Sequence, residues 1–217
     1  MTRVIAVDGP TASGKGTLAR RLAVHFDFDW LDTGALYRAT ALRLLRSGNP
    51  EPSADAAVDA AKGISADDLA DPALRDEATG NLASGVAVMQ PVRDALFRYQ
   101  RDFAARPPGG RGAVLDGRDI GTVICPDADV KLFVTASPEV RASRRFEELR
   151  GRGISVSLAD VMTDLQARDA RDRSRSSAPL RPAEDAVLID TSELDIETAF
   201  STALEACAAR WSGSSVG

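Results

Sequence analysis

Lysine is scarce in this chain, occurring only at positions 15, 62 and 131, while every other cationic residue is arginine. The planar fork of arginine suits bidentate contact with phosphate or carboxylate, but a GC-rich coding bias would also enrich it, so position must decide its meaning. Cysteine is limited to Cys125 and Cys207, far apart and without a CxxC spacing. That excludes a disulfide framework and a cysteine zinc site, and it points to a reducing compartment. Histidine occurs once, at His25, so no His-based triad can be assembled. Its place between Val24 and Phe26 assigns it to packing or surface. No apolar run is long enough to span a bilayer, and the short apolar segment after Met1 lacks the pattern of a signal peptide, so a cytoplasmic protein is expected. A formal charge of −5 gives no general attraction to nucleic acid or an anionic membrane, and neither is expected as a partner. The 217 residues, 44% hydrophobic, suffice for one globular domain with a sizeable core. Without an apolar repeat for assembly, that domain is expected to be a monomer.

What is present is a strand and helix alternation. The run Val4-Ile5-Ala6-Val7 ends at Asp8-Gly9-Pro10, which predicts a buried strand over residues 3–7 entering a loop. Leu18, Leu22 and Phe26 recur at helical spacing and predict a helix over 15–26. A strand at 29–31 and a helix at about 35–45, closed by Ser47-Gly48-Asn49-Pro50, follow. Residues 51–80, interrupted by Pro52, Gly63, Pro72 and Gly80, predict short helices on an exposed insert, with no strand. Helices are expected at about 92–104, 138–150, 158–171 and 196–209, and strands at 113–115, 130–134 and 186–189. The order implies an α/β fold, a parallel five-stranded sheet covered by helices in three layers. Only the extreme Ser/Gly tail is expected to lack structure.

The first loop carries the strongest local signal. Gly9-Pro10-Thr11-Ala12-Ser13-Gly14-Lys15-Gly16-Thr17 lies between a predicted strand and a predicted helix, the context in which a P-loop cradles phosphates with backbone N–H groups, a helix N-terminus and a mobile lysine. It departs from GxxxxGK[ST] because Gly16 follows the lysine and the hydroxyl comes at Thr17. The Gly-Lys-Gly-Thr ending resembles nucleoside monophosphate kinases more than GTPases, and no Asn-Lys-x-Asp element is present.

Three further segments extend the resemblance. Asp32-Thr33-Gly34-Ala35-Leu36-Tyr37-Arg38, Asp116-Gly117-Arg118-Asp119-Ile120-Gly121-Thr122 and Arg168-Asp169-Ala170-Arg171-Asp172-Arg173-Ser174-Arg175 resemble, in this order along most of the chain, bacterial cytidylate kinases. The resemblance implies ATP as phosphate donor with Mg²⁺, and CMP or dCMP as acceptor. It implies that Ser84, Arg93 and Asp119 read the cytosine, that Arg38, Arg118 and Arg175 hold phosphates, that Arg168 and Asp172 contact the ribose, and that Thr33 touches the nucleotide. Lys15, Arg118 and Arg175 are the expected catalytic cations. Asp119 can accept from the exocyclic amine of cytosine and Arg93 can donate to its ring acceptors, whereas uracil reverses that pattern.

Within the single P-loop kinase domain the expected divisions are a core of about 1–48, 106–150 and 176–211, an acceptor-binding insert of about 49–105, and an Arg-rich lid of about 151–175 hinged near Gly151 and Gly153. Such a lid would exclude water from the transfer. No metal-ligating residue is assigned; Asp116 is either a Walker-B-like acid near Mg²⁺ or a turn former after a strand. Taken alone, the Arg/Asp run at 168–175 would be a solvated helix face with i,i+3 and i,i+4 ion pairs. Some cytidylate kinases carry a longer insert with a small antiparallel sheet, a departure that bears on ribose discrimination. The rival functions are another P-loop kinase acting on UMP, AMP or shikimate, and a nucleotide-dependent switch without phosphotransfer.

Overall fold

The computed structural model describes residues 2–175 and 177–213, and the Ser/Gly tail at 214–217 falls outside the described residues. The chain divides into two compact units, residues 1–31 with 104–217, and residues 32–103.

The first unit is built on a five-stranded parallel sheet of order β2-β3-β1-β4-β5. Its strands are β1 (Arg3–Asp8), β2 (Asp29–Asp32), β3 (Gly112–Gly117), β4 (Val130–Thr135) and β5 (Val187–Asp190). The apolar run seen in the sequence becomes the centre of the sheet: β1 pairs in parallel with β3, Ile5 opposite Val114, and with β4, Val7 opposite Leu132. Helix α1 (Lys15–Phe26) and helix α9 (Ile196–Gly213) cover it. Leu18, Leu22, Ala203 and Cys207 pack with Ile5, Val7, Val114, Leu132 and Ile189 in one core cluster, each almost fully removed from water. Burying a side chain of this size is worth about 1.5–3 kcal/mol relative to leaving it exposed. Helices α7 (Pro138–Gly151) and α8 (Leu158–Arg173) pack a small core of their own around Ala142, Leu149, Val161 and Leu165. The turn joining them contains Gly153 at φ +75°.

Among its described residues the second unit is built from helices and connecting loops, with only Asp32, the last residue of β2, in a strand. Helix α2 (Thr33–Arg46) starts two residues before the periodicity alone predicts, because the Asp32 carboxylate caps it by accepting from the Ala35 N–H at 3.2 Å. Helices α3 (Ala54–Lys62) and α4 (Ala66–Ala70) are capped by Ser53 and Ser65, and a 3-10 turn spans Pro72–Arg75. Ala39 and Leu42 of α2 pack with Leu74, backed by Ile64 and Leu69. Helix α5 (Glu77–Val86) runs through Gly80 and Gly85, so the segment expected to break at Gly80 continues as helix. Tertiary packing overrides the cost of about 1 kcal/mol that a helical glycine carries. Helix α6 (Gln90–Ala105) closes the unit. Among the described residues no helix is long and apolar enough to cross a membrane.

Candidate active site at the phosphate loop

The loop between β1 and α1 owes its path to residues that tolerate unusual backbone. Gly9 sits at φ +153°, and a Cβ there would lie 2.0 Å from the Val134 carbonyl oxygen, so no side chain fits. Ala12 and Gly14 are left-handed, at φ +61° and +89°. Gly14 caps α1 without a side-chain bond, which leaves the first-turn N–H groups of the helix to an external acceptor. Lys15 folds back so that its Nζ is 3.4 Å from the Pro10 carbonyl oxygen. The buried Ser13 Oγ has no hydrogen-bond partner among the described residues. Positive dipole, cation and orphaned hydroxyl together make an anion cradle.

The carbonyls of the loop are tied down by residues the sequence motifs did not single out. Arg141 donates to the Thr11 carbonyl at 3.2 Å and to the Ala136 carbonyl at 3.1 Å. It also makes a bidentate pair with Asp169, at 2.6 and 3.2 Å. Arg144 donates to the Ser13 carbonyl at 3.5 Å and to Thr191, whose hydroxyl is itself 2.9 Å from the same Ser13 oxygen. Thus α7 braces the loop and α8 braces α7. Neither link has a local sequence signal, since Arg141 and Asp169 are 28 residues apart.

Arg118, just beyond β3, joins this loop to α8. Its guanidinium donates to Thr11 Oγ1 at 2.8 Å and to Asp172 at 3.0 Å. Arg175 donates to the other oxygen of Asp172, and its Nε, also buried, has no partner among the described residues. Burial pushes the Asp172 carboxyl upward, but Arg118 and Arg175, with Arg168 nearby, outweigh it and hold the group below its ordinary value. Asp169 and Asp172 are both almost wholly buried, so the run at 168–175 turns its carboxylates inward while Ala170, Arg171, Arg173 and Ser174 stay exposed. Asp119, half-buried, follows Arg118 and starts a π turn, Ile120–Ile124.

Asp116 lies inside β3, opposite Val7 in the register, which rules out the turn reading. Its carboxylate sits 3.9 Å from where a Cβ on Gly16 would be and accepts from the Trp30 indole at 2.8 Å. Asp8 ends β1 with its carboxylate buried and accepting from the backbone N–H groups of Ile120 and Gly121. Burial pushes it up to about 7, against the downward pull of those two bonds.

In the helical unit, Thr33 is buried at the first position of α2, and Arg38, one turn on, pairs with the capping Asp32. Asp32 therefore orients the arginine as well as starting the helix. Ser84 on α5 is buried with an unpartnered hydroxyl. Arg93 on α6 is anchored by the Ala87 carbonyl at 2.8 Å and by Gln90. A buried polar atom without a partner is costly, so Ser13, Ser84 and Arg175 each mark a place where a polar ligand would be gained.

A family model described as cytidylate kinase matches residues 5–209. The chain is 54% identical over 204 residues to a cytidylate kinase of Paramagnetospirillum magneticum, covering 94% of this chain and 97% of that one. It is 57% identical over 201 residues to a cytidylate kinase of Methylocella silvestris, covering 93% and 92%. Among solved structures, an uncharacterized protein from Eubacterium ventriosum superposes with a TM-score of 0.55 at 13% identity, covering 96% and 99%. A sugar kinase from a Janibacter species does so at 0.50 and 16%, covering 95% and 94%. Those two likenesses concern the α/β fold. Because the sequence match begins in β1, passes through the phosphate loop and ends in α9, the chain belongs to the cytidylate kinase family.

Proposed function

We propose that the protein transfers the γ-phosphate of ATP to CMP or dCMP, giving CDP or dCDP and ADP, in pyrimidine nucleotide metabolism. The observation that carries this reading is Arg118, whose one guanidinium bonds both Thr11 of the phosphate loop and Asp172 beside Arg175. A cation so shared meets charge from the donor and the acceptor phosphate alike. In the transfer an acceptor phosphate oxygen bonds to the γ-phosphorus as the bond to the β–γ bridging oxygen breaks, and ADP leaves. Little covalent chemistry falls to the protein, whose work is positioning and neutralising charge on the equatorial oxygens. Residues 9–17 hold the triphosphate with Lys15 on its outer oxygens, while Arg118 and Arg175 take the charge that develops between the nucleotides.

The remaining roles follow the family. In the sheet unit Asp119 accepts from the cytosine amine, and Arg168 and Asp172 face the ribose. Each Asp172 oxygen already accepts from one arginine and keeps a second lone pair for a hydroxyl. In the helical unit Thr33 and Arg38 are assigned to the acceptor nucleotide and its phosphate, and Ser84 and Arg93 to the base. The segment of about 151–175, which turns at Gly153 and continues as α8, is the Arg-rich lid. Asp116 beside Gly16 suits Mg²⁺, which takes one or two carboxylates together with substrate phosphates and water rather than a full protein cage. Bound there, Mg²⁺ would neutralise β- and γ-phosphate oxygens. The buried, unbridged Cys125 and Cys207 support a reducing, cytoplasmic setting, and we take the protein to act as a monomer.

The test is ADP release from ATP and Mg²⁺ with CMP, dCMP, UMP, AMP and shikimate offered in parallel. Turnover confined to CMP and dCMP is expected. Equal or greater turnover with another acceptor would discard the cytosine assignment, and ADP release independent of any acceptor would discard phosphotransfer.

A further inference from the structure

We propose that Asp8 is a positioning residue for the acceptor side of the reaction, fixing Arg118 and Asp119 against the phosphate loop by holding the backbone of the turn that follows them. The inference rests on the CMP kinase reading, because it concerns how that acceptor is held. Asp8 touches neither nucleotide in this account and acts through the turn.

The geometry begins with where Asp8 stands. It is the last residue of β1 and the one before Gly9, so its backbone is part of the root of the phosphate loop. Its side chain turns away from solvent, with 5% exposure, and each carboxylate oxygen takes one backbone N–H: Oδ1 from Ile120 at 2.8 Å and Oδ2 from Gly121 at 2.7 Å. Those are the two residues directly after Asp119. A carboxylate gripping successive N–H groups is a stronger tie than two neutral hydrogen bonds, and inside the protein it is not weakened by competing water.

The turn it grips is itself unusual. Residues Ile120–Ile124 form a single π turn, a rare conformation that often accompanies function. The Asp119 carbonyl closes it by accepting from the N–H groups of Val123 at 2.8 Å and Ile124 at 3.1 Å. Gly121 permits the close approach, since a Cβ there would lie 3.2 Å from Lys131 Cδ and 3.4 Å from Asp8 Oδ2. The ammonium of Lys131 is directed to Asp185, at 2.9 Å, so the lysine contributes its stem to the packing under the turn. On the near side of Asp119, Arg118 is held by Thr11 and Asp172. The pair Arg118-Asp119 is thus fixed from both ends, by its own guanidinium on one side and by Asp8 on the other.

A residue that served only stability would, when changed, weaken every ligand alike. A residue that orients Asp119 should weaken CMP selectively, because Asp119 faces the acceptor alone while Arg118 keeps its own bonds to Thr11 and Asp172. Asp8→Asn keeps the size of the side chain but sets its NH₂ against one of the two N–H donors, leaving a buried donor unmet. The experiment measures KM and kcat for CMP at saturating ATP, and the Kd for ATP by calorimetry, in wild type and Asp8→Asn. The expected result is a KM for CMP raised about tenfold or more with the ATP Kd changed less than about twofold. An unchanged KM, or an equal fall in both affinities, overturns the proposal. If Asp8→Asn does not fold, Gly121→Ala crowds the same turn against Asp8 Oδ2 and the Lys131 stem and must give the same selective loss; equal or absent effects again overturn it. Absence of CMP turnover in the wild type would overturn the parent reading and this inference with it, whereas a CMP-active wild type with an indifferent variant removes this inference alone.

Discussion

Removing the carboxylate of Asp169 tests whether α8 supports the phosphate loop through Arg141. The side chains of the two residues are 4% and 7% exposed, so Asp169→Ala leaves a guanidinium stranded away from water. Breaking a buried pair from one side costs about 3–5 kcal/mol, far more than an exposed pair is worth. Arg141 would retain its bonds to the Thr11 and Ala136 carbonyls, which places the expected loss near the lower end, about 3 kcal/mol. For a chain of this length that corresponds to a fall in Tm of about 6–12 °C. Urea unfolding followed by tryptophan fluorescence is the assay, Trp211 being packed against Phe26 at 4.7 Å between ring centroids. The double variant Arg141→Met with Asp169→Leu removes both charges and should recover most of the stability. It should nevertheless bind ATP more weakly than wild type, because the Thr11 carbonyl has lost its donor. A loss below about 1 kcal/mol in Asp169→Ala would refute the reasoning, since the arginine would then be reaching solvent.

Lys15→Ala should reduce kcat severely, on the order of a hundredfold or more, with an unchanged far-UV circular dichroism spectrum; full turnover would remove the phosphate-loop assignment. Asp119→Asn should raise KM for CMP selectively because an amide presents a donor to the cytosine amine, and an equal loss for all acceptors would reduce Asp119 to scaffolding. Gly9→Ala should fail to give soluble folded protein or lose several kcal/mol, about 3 or more, as its Cβ would meet the Val134 carbonyl; a variant with wild-type urea midpoint would contradict the loop geometry. With its carboxyl raised from 3.8 to about 7, Asp8 binds more protons in the folded than in the unfolded chain across that interval. Its contribution to stability is therefore present below about pH 4 and lost as pH rises to about 7, a span of up to about 4 kcal/mol. Asp8→Asn should remove that slope, and parallel stability profiles for variant and wild type between pH 4 and 8 would refute it.

The parts of this molecule that declare themselves in sequence are those whose physics is local. The phosphate loop is legible because strand, glycines, lysine and helix adjoin one another, and β1, β3, β4 and β5 because their apolar runs are short and bounded. Helix α5 is hidden by Gly80, which local propensity reads as a break and which packing carries through. At Asp116 the turn former stands open beside the Walker-B-like acid only until its partner across the sheet, Val7, is known. The ties among Arg118, Thr11 and Asp172 bring together residues 107 and 54 positions apart, so no spacing rule finds them. The single acid ending β1 gave no signal beyond a strand-to-loop boundary, since its meaning lies in the N–H groups it meets at Ile120 and Gly121.

The position of β1 at the middle of the sheet has a consequence for how the chain is made. Arg3 pairs with Gly112 and Ile5 with Val130, so β1, made before the other four strands, waits for both neighbours until the entire 32–103 segment has been synthesised. Pairings so distant along the chain form late and leave apolar edges uncovered meanwhile. A chain stopped short of β4 would contain every residue of the glycine motif and still lack the donors that tie down its carbonyls, because Arg141 and Arg144 would not yet exist.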